Sequence, residues 1–293
     1  MRKINLFLVS VIALLLMSCV NLPKEYASYD DYPVYEGNDL EVVYSPLHTK
    51  FRLWSPAAKE AKLNLYHEGL GGEPFDVVKL KYDIDGTWVA TVDGDLKGKF
   101  YTFQIFQQDR WWDETPGIWA KAVGVNGNRG AIIDMSETNP SGWEDVKRPA
   151  MKNFTDAVLY ELHVRDFSTS EQSGMQYKGK FLAFTEMGTV NAEGKKTGVE
   201  HLKELGITHV QLLPIYDYAS VDETKLDENQ YNWGYDPKNY NVPEGGYSTD
   251  PYNPTARIIE LKKAIQSLKN NGIRVIMDVV YNHVAGAMGS NFD

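Results

Sequence analysis

Two short stretches that share one pattern constrain the fold of this chain more than any other feature. Leu202-Lys-Glu-Leu-Gly-Ile207 and Leu268-Lys-Asn-Asn-Gly-Ile273 each contain the end of a helix, a glycine and the start of an apolar strand. Glycine suits this position because it adopts the left-handed backbone conformation that ends many helices. Consecutive strand–helix units build parallel sheets, so the sequence predicts part of a barrel or of a doubly wound sheet.

Three apolar segments are the predicted strands of this sheet. Residues 157–164 form a nearly continuous apolar run, which is typical of a strand that is covered on both faces. The second and third strands are predicted at residues 207–213 and 273–280. We therefore expect an α/β unit at residues 150–293.

Two helices connect these strands. A short helix is predicted at residues 199–205, and the clearest helix spans residues 253–272, where Asn253 is the expected N-cap, Pro254 the first residue and Gly272 the end. Apolar residues recur on one face of this second helix, at Ile258, Leu261, Ile265 and Leu268.

Residues 37–138 show a different pattern, in which short segments alternate between apolar and polar residues. This period of two is typical of half-buried strands, and turns that contain Gly, Pro or Asp separate the segments. The pattern predicts an all-β sandwich of roughly 100 residues. The predicted strands are Phe51-Arg-Leu-Trp54, Ala61-Lys-Leu-Asn-Leu-Tyr66, Thr87-Trp-Val-Ala-Thr-Val92 and Phe100-Tyr-Thr-Phe-Gln-Ile-Phe106.

The N-terminal segment has the order of an export signal. Arg2 and Lys3 precede an apolar run at residues 6–17, which is too short for a comfortable membrane span. The run ends in Leu16-Met17-Ser18-Cys19, which resembles a bacterial lipobox; the alternative is an ordinary signal peptide with an incidental cysteine. We expect residues 1–18 to be removed, Cys19 to be lipidated, and residues 19–36 to be a tether.

Charge and cysteine content limit the location and the partners of the chain. Lipidated Cys19 would anchor the exported protein to a membrane of the cell envelope, on a side that the sequence does not define. Since Cys19 is the only cysteine, the exported chain can form no internal disulfide. The formal net charge of −10 argues against nucleic acid and against an anionic membrane surface as partners.

The aromatic content is consistent with sugar binding. The chain contains 18 tyrosines and 7 tryptophans, whose flat faces can stack on pyranose rings, although such residues mostly serve packing. In the predicted sandwich, Trp88, Trp111 and Trp112 are candidate sugar platforms, and we favour packing roles for them.

Two motifs would lie at the same edge of the predicted sheet. Asp278 ends the third strand, and Asn282 and His283 follow it. A loop of about 40 residues after the second strand contains Tyr231-Asn-Trp-Gly-Tyr-Asp-Pro237, and loops of this length are usually functional. Because the loops that follow parallel strands meet at one edge, a carboxylate, an imidazole and aromatic rings would converge there. These groups suit a sugar, which presents hydroxyls and a flat carbon face.

These motifs resemble those of type I pullulanases, the α-1,6-debranching branch of the α-amylase family. The seven-residue motif from Tyr231 to Pro237 is similar to the hallmark of pullulanases, and Asp278-Val-Val-Tyr-Asn-His283 is similar to a motif of the wider family. The segments Thr49-Lys-Phe-Arg-Leu-Trp-Ser-Pro56 and Trp119-Ala-Lys-Ala-Val-Gly-Val-Asn-Gly-Asn-Arg-Gly130 resemble a carbohydrate-binding-module-like sandwich of family forty-eight. The resemblance implies that residues 150–293 are the N-terminal part of a (β/α)8 catalytic barrel, with about its first three strands.

The resemblance also implies roles for individual residues. His283 would hydrogen-bond the sugar just before the scissile bond, Tyr235 would stack on that sugar ring, and Asp278 would organise the site. Tyr231 and Trp233 are further candidate substrate contacts.

No cofactor is expected to be required, although calcium remains a candidate. Members of the family sometimes use an asparagine of this motif as a calcium ligand, so Asn282 is a candidate ligand. His163, at the end of the first strand, is expected to be a buried histidine with satisfied hydrogen bonds, and a role in supporting the floor of the site is the alternative.

The catalytic carboxylates are expected to be absent from this chain. Retaining glycosidases use a nucleophile and a general acid, which in this family follow the fourth and fifth strands. The Phe-Arg-x-Asp signature of the family does not occur between His283 and Asp293. We therefore expect no hydrolysis by the chain alone. The implied parent reaction is hydrolysis of α-1,6-glucosidic bonds in pullulan, starch or glycogen, with retention of anomeric configuration.

Two alternatives remain open at the level of the sequence. The first is a non-catalytic surface lipoprotein whose sandwich aromatics bind α-glucan. The second is another enzyme of the family, such as an isoamylase or a glycogen-branching enzyme; Asn232 and Trp233 favour the pullulanase interpretation.

Overall fold

The computed structural model describes residues 24–286 and 290–291. The predicted signal segment and Cys19 lie outside the described residues. The described chain contains an antiparallel β-sandwich followed by a parallel α/β unit. Neither helix of the described part is long and apolar enough to cross a lipid bilayer.

The sandwich consists of two antiparallel sheets, with strands numbered in chain order. The first sheet has the order β1-β2-β6-β5, with strands Glu41–Tyr44, His48–Trp54, Thr87–Asp93 and Lys81–Tyr82. The second has the order β4-β3-β7-β8, with strands Asp76–Lys79, Glu60–Tyr66, Phe100–Gln107 and Arg110–Trp111; β9, Gly130–Ala131, also pairs with β7. The four predicted sandwich strands correspond to β2, β3, β6 and β7.

The core of the sandwich lies between the two sheets. Alternate residues of facing strands are buried in it, including Phe51, Leu63, Tyr101 and Phe103. Trp88 is buried in the same cluster, and its indole donates a hydrogen bond to the Ser55 carbonyl at 2.9 Å. The packing role predicted for Trp88 is therefore confirmed.

The other two tryptophans of the sandwich lie nearer the surface. Trp111 is exposed, and the Lys62 ammonium lies 4.6 Å from the centre of its ring. The half-buried Trp112 donates its indole N–H to the Gln107 carbonyl at 3.2 Å, and the Arg110 guanidinium lies 4.0 Å from its ring centre. Trp111 thus contacts Lys62 and Phe106 but stays partly accessible to solvent, while Trp112 is held by its own hairpin.

The α/β unit has a three-stranded parallel sheet with the order β10-β11-β14. In register, Leu162 pairs with Leu212 and Leu212 with Met277, so the three strands end at the same edge. The elements of this unit are β10 (Leu159–Leu162), α1 (Gly198–Glu204), β11 (His209–Leu212), β12 (Tyr216–Tyr218), β13 (Pro237–Pro243), α2 (Ala256–Asn270) and β14 (Arg274–Met277), where β12 and β13 form an antiparallel hairpin.

Both helices and the 3₁₀ stretch Phe181–Thr185 share one hydrophobic cluster with the sheet. Phe184, Leu202, Val210 and Leu268 are fully or almost fully buried in this cluster. In contrast, Leu159 on β10 is 55% exposed and its neighbour Tyr160 is exposed as well. The expectation that this first strand is covered on both faces is therefore wrong for the described residues: Leu159 and Tyr160 point to opposite faces of β10, and neither side chain is covered by another element of the described chain.

The second helix begins later than the sequence predicts. Its first residue is Ala256 and its N-cap is Thr255, whereas Asn253 and Pro254 belong to the preceding turn. The Asn253 side chain accepts hydrogen bonds from the amide and hydroxyl of Thr255, at 3.1 and 2.8 Å. Asn253 therefore organises the turn that leads into the helix instead of capping it.

The predicted end of this helix is confirmed. Gly272 has a φ of +80°, and the Ile273 amide donates to the Leu268 carbonyl at 2.9 Å. This is the hydrogen bond of a Schellman motif, which allows the chain to turn at once into β14. Gly206 after α1 has a φ of +69° and has the same function before β11.

A buried ion pair lies where the sandwich meets the α/β unit. The guanidinium of Arg257, on α2, contacts Asp217 at 3.1 Å and Glu223 at 2.7 Å, and all three side chains are buried. Glu223 also accepts the Asn126 amide at 2.7 Å, and Asn126 belongs to the last turn of the sandwich. The neighbouring Gly127 has a φ of +67°, and a Cβ there would lie 2.3 Å from the Asp217 carboxylate. The sandwich turn, the hairpin and the helix therefore depend on one cluster of charges.

We expect Arg257→Met to lower the free energy of unfolding by about 3–5 kcal/mol, because it leaves buried carboxylates without their positive partner. Urea denaturation of the purified chain, followed by circular dichroism, measures this loss. Lys263→Met, at an exposed position of the same helix, is the control and should change the value by less than about 0.5 kcal/mol. Equal losses in the two variants would contradict this role of Arg257.

Glu41 is an unusual residue of the sandwich. It is buried, its φ is +66°, and its Oε2 atom has no hydrogen-bond partner. Its Oε1 atom accepts the Trp119 amide at 3.2 Å, and its carboxyl group lies against Gly117, where a Cβ would come within 2.0 Å of Oε2. Burial raises the pKa of Glu41 to about 8.

This pKa shift predicts a pH dependence of stability. Between the ordinary value of 4.5 and about 8, the folded protein holds a proton at Glu41 that the unfolded chain releases. Stability should therefore fall as pH rises through this window, by at most about 1.4 kcal/mol per pH unit from this group. Glu41→Gln keeps an acceptor for Trp119 and should flatten the decline in urea denaturation curves between pH 5 and pH 8. A decline that is equally steep in the variant would exclude Glu41 as its source.

Candidate functional site

The two motifs singled out in the sequence meet at the edge where the parallel strands end. The Tyr235 hydroxyl donates a hydrogen bond to Asp278 Oδ2 at 2.8 Å. The His283 Nε2 atom lies 2.6 Å from the Tyr235 carbonyl oxygen, to which it donates. The structure therefore brings Tyr235, Asp278 and His283 together, as the spacing along the chain predicts.

Asp278 directly follows β14 and is held by the neighbouring strand. Gln211, on β11, donates its side-chain amide to Asp278 Oδ2 at 3.1 Å and lies at the same distance from Glu161 Oε2 on β10. Glu161 and Gln211 are in register across the parallel strands. Gln211 and Glu161 are not among the site residues predicted from the sequence. The signal that could have found them is a polar residue near the end of an otherwise apolar strand.

The contact with Asp278 affects the pKa of the Tyr235 hydroxyl. Burial, together with the hydrogen bond to the Asp278 carboxylate, raises the pKa of Tyr235 to about 12. Tyr235 therefore stays protonated at neutral pH and keeps its hydroxyl directed at Asp278. The Tyr235 side chain is half-buried, so part of it, next to the Asp278 carboxylate, remains accessible to solvent.

The loop that contains Tyr235 is shaped by its own polar residues. Asn232 accepts the Gly234 amide at 2.6 Å and donates to the Asp236 carboxylate at 2.7 Å, and it also contacts the Ser220 hydroxyl. Gly234 has a φ of +85°, and a Cβ there would lie 2.8 Å from the Pro214 carbonyl oxygen. A residue other than glycine would strain this turn, so the motif needs glycine between the tryptophan and the tyrosine.

Tyr231 and Trp233 form the exposed aromatic part of the site. They are 51% and 60% exposed, and the Trp233 indole donates to the Tyr231 hydroxyl at 2.8 Å. Tyr231 in turn donates to Asp166 at 3.3 Å, and its ring stacks on His163 with the ring centres 5.2 Å apart. A hydrogen bond therefore joins these two exposed aromatic side chains, and the ring of one of them is also fixed by His163.

The contacts of His283 bear on its predicted role. Its Nδ1 atom lies 2.7 Å from Asn282 Oδ1, while its Nε2 atom faces the Tyr235 carbonyl. Both ring nitrogens therefore face oxygen atoms of the protein, although the side chain is exposed. A sugar hydroxyl that binds a ring nitrogen of His283 would have to replace one of these two contacts.

The metal-binding potential of the described residues is limited. Asp217, Glu223 and Glu244 are the carboxylates found at metal-ligand spacing in the part of the chain that the structure describes. Burial and the charge of Glu223 raise the pKa values of Asp217 and Glu244, and the Arg257 guanidinium already supplies a positive charge among these groups. This cluster therefore does not fit a metal ion. The role of Asn282 as a calcium ligand stays a prediction.

A cavity of about 1050 Å³ lies next to Tyr231. Its lining includes Glu161, His163, Asp166 and Tyr231. Its volume is at the upper end of the usual range for ligand sites. Its aromatic rings, carboxylates and amide groups can bind a hydroxyl-rich ligand, but Tyr235, Asp278 and His283 are not among the residues that line it.

Comparison with known families agrees with this architecture. A model of the α-amylase catalytic domain matches residues 162–290, and a model of carbohydrate-binding module 48, the isoamylase N-terminal domain, matches residues 39–120. Pullulanase of Bacillus subtilis strain 168 is 44% identical over 268 residues. This match covers 91% of the present chain and 36% of that pullulanase, so the chain spans about a third of the length of this relative.

Solved structures show the same relationship. Pullulanase from Paenibacillus barengoltzii, crystallised in complex with maltohexaose and α-cyclodextrin, is 55% identical with a TM-score of 0.86, over 89% of this chain and 40% of that chain. Pullulanase from Bacillus acidopullulyticus is 46% identical with a TM-score of 0.84, over 90% of this chain and 32% of that chain. The predicted fold class and family are therefore confirmed. The chain belongs to the α-amylase family of glycoside hydrolases and corresponds to the module-48 sandwich and the first part of the catalytic barrel of its pullulanase branch.

Proposed function

We propose that this chain supplies the sugar-binding side of an α-glucan debranching enzyme, which hydrolyses α-1,6-glucosidic bonds in pullulan, starch or glycogen. The observation that supports this most directly is the contact of Tyr235 with Asp278 and His283 at the end of the parallel sheet. We assign binding roles to these three residues, with Tyr231 and Trp233 as further contacts. We assign no nucleophile or general acid to residues of this chain.

The chemistry of the site fits an α-glucan. The partly exposed Tyr235 ring offers a face for the carbons of a glucose unit, and Asp278 offers acceptors for its hydroxyls. Pullulanase from Paenibacillus barengoltzii, a homologous protein, was crystallised with maltohexaose and α-cyclodextrin, which are α-glucans. A protein surface with prearranged polar groups binds such flexible chains at a lower entropic cost.

We further propose that the protein is exported and anchored to a membrane of the cell envelope by lipidation of Cys19. The support is the sequence alone, in which Arg2, Lys3 and an apolar run precede Leu16-Met17-Ser18-Cys19. Metabolic labelling with a radioactive fatty acid in a bacterial host should mark the parent protein but not Cys19→Ser. Equal labelling of both would contradict the anchor, and the cysteine would then be incidental to an ordinary signal peptide.

A second candidate is a non-catalytic glucan-binding lipoprotein, which the exposed Trp111 favours. Retention on insoluble starch that survives deletion of residues 150–293 and disappears in Trp111→Ala would support it. An isoamylase or branching enzyme is distinguished by products. With the complete enzyme, only a pullulanase should release maltotriose from pullulan, and its absence would exclude that specificity.

We expect Tyr235→Ala and Asp278→Asn to weaken binding of pullulan by about tenfold or more, which corresponds to about 1.4 kcal/mol of binding free energy. The first change removes the aromatic face, and the second replaces a carboxylate that accepts two hydrogen bonds. Affinity electrophoresis of the purified chain in gels that contain pullulan measures the effect.

The matched control for this experiment is Tyr252→Ala. Tyr252 is an exposed tyrosine of the same α/β unit, and it lies outside both motifs. Its removal should leave the mobility in pullulan gels unchanged. If all three variants migrate like the parent chain, the sugar does not bind at this site.

A further inference from the structure

His163 is a buried side chain in direct contact with the motif at residues 231–237. It directly follows β10 and is only 5% exposed. Its Nδ1 atom accepts the Arg165 amide at 3.1 Å, and its Nε2 atom lies 2.6 Å from the Asn232 carbonyl oxygen. Because Nδ1 accepts a hydrogen bond and a carbonyl oxygen can only accept one, the proton is on Nε2 and is donated to Asn232.

The imidazole ring makes a second type of contact with the motif. The Tyr231 ring stacks on it at a centre-to-centre distance of 5.2 Å and an angle of 29°. On another side, Tyr247 packs edge-on at 5.8 Å, with its hydroxyl 3.2 Å from Nε2. One buried ring therefore fixes both a backbone carbonyl and an aromatic side chain of the loop.

The residues that follow in the loop depend on these two contacts. Tyr231 holds the Trp233 indole through its hydroxyl, and Asn232 forms the turn that leads to Tyr235. A change in the position of Asn232 would move Gly234 and Tyr235 with it, because the Asn232 side chain accepts the Gly234 amide at 2.6 Å. The orientation of all exposed aromatic groups of the motif is thus coupled to the position of His163.

We propose that His163 is a positioning residue for glucan binding: its Nε2 hydrogen bond and its ring hold the loop at residues 231–236 in the conformation that presents Tyr231, Trp233 and Tyr235 to the sugar. In this proposal His163, which is only 5% exposed, acts through the loop and not as one of its exposed aromatic contacts. The effect on glucan affinity rests on the proposed function, whereas the effect on the loop does not. A residue of this kind lowers the entropic cost of binding because the loop is ordered before the ligand arrives.

Loss of the hydrogen bond and loss of packing can be separated by two substitutions. His163→Phe keeps a ring that can stack on Tyr231 but removes the donor to Asn232, whereas His163→Gln keeps a donor but removes the ring. His209→Gln is the matched control, because His209 is 7% exposed and is the first residue of the adjacent strand β11, at the end opposite to the edge where the two motifs meet. Its Nδ1 atom lies 2.7 Å from the hydroxyl of the preceding Thr208, which is outside the loop at residues 231–236.

Hydrogen exchange followed by mass spectrometry on the purified chain measures the state of the loop without any ligand. We expect the peptides of residues 216–236 to exchange at least about tenfold faster in His163→Phe, with smaller changes elsewhere, because local opening becomes easier. His163→Gln should restore rates to within about threefold of the parent chain, and His209→Gln should leave this loop unchanged. Equal exchange in His163→Phe and the parent, or equal acceleration in His209→Gln, would overturn the proposal.

Affinity electrophoresis in pullulan gels then tests the effect of His163 on glucan affinity separately from its effect on the order of the loop. If the parent chain binds pullulan, His163→Phe should bind at least about fivefold more weakly, and His163→Gln should recover most of the affinity. If the parent chain does not bind, the proposed function fails while the exchange data still judge the role of His163. Should His163→Phe not fold, ¹⁵N spectra of the parent chain decide instead: a proton on Nδ1 rather than Nε2 of His163 would overturn the proposal.

Discussion

The buried contact of Arg257 with Asp217 and Glu223 is the interaction on which the rest of the architecture depends. It joins helix α2 to the hairpin of β12 and β13, which carries the loop at residues 231–236, called the aromatic loop below. Glu223 extends the contact to the turn of the sandwich that contains Asn126. Ion pairs of this kind add little net stability compared with apolar packing, but they tolerate few alternative arrangements. The cluster therefore specifies how the two parts of the chain fit together more than it strengthens either of them.

The aromatic loop is consequently fixed at both of its ends. At its base, the strands β12 and β13 pair, and Asn239 on β13 donates to Asp217 at 2.6 Å. At its tip, His163 and His283 each donate a hydrogen bond to a backbone carbonyl of the loop, at Asn232 and Tyr235 respectively. A loop of this length would ordinarily be mobile, and these anchors give it the order that recognition of a flexible glucan requires.

The sequence predicted those features that are encoded locally. Alternating segments marked the sandwich strands, and glycines after Leu205 and Asn271 marked the two helix ends, because a left-handed turn needs glycine wherever it occurs. The start of α2 was misplaced because Asn253 can serve equally as a helix cap or as a turn residue.

Features that depend on distant contacts could not be predicted in this way. The partnership of Asp278 with Gln211 joins residues of adjacent strands that are far apart in the sequence, so it becomes visible only when the register is known. The same holds for the charge cluster, since nothing in the local sequence distinguishes a buried arginine from a solvated one. The convergence of Tyr235 and His283 was predictable because parallel strands end at one edge, whatever their exact pairing. In the described part of the chain β10 is an edge strand with Leu159 and Tyr160 exposed, so dilute solutions should suppress edge-to-edge self-association of separate copies.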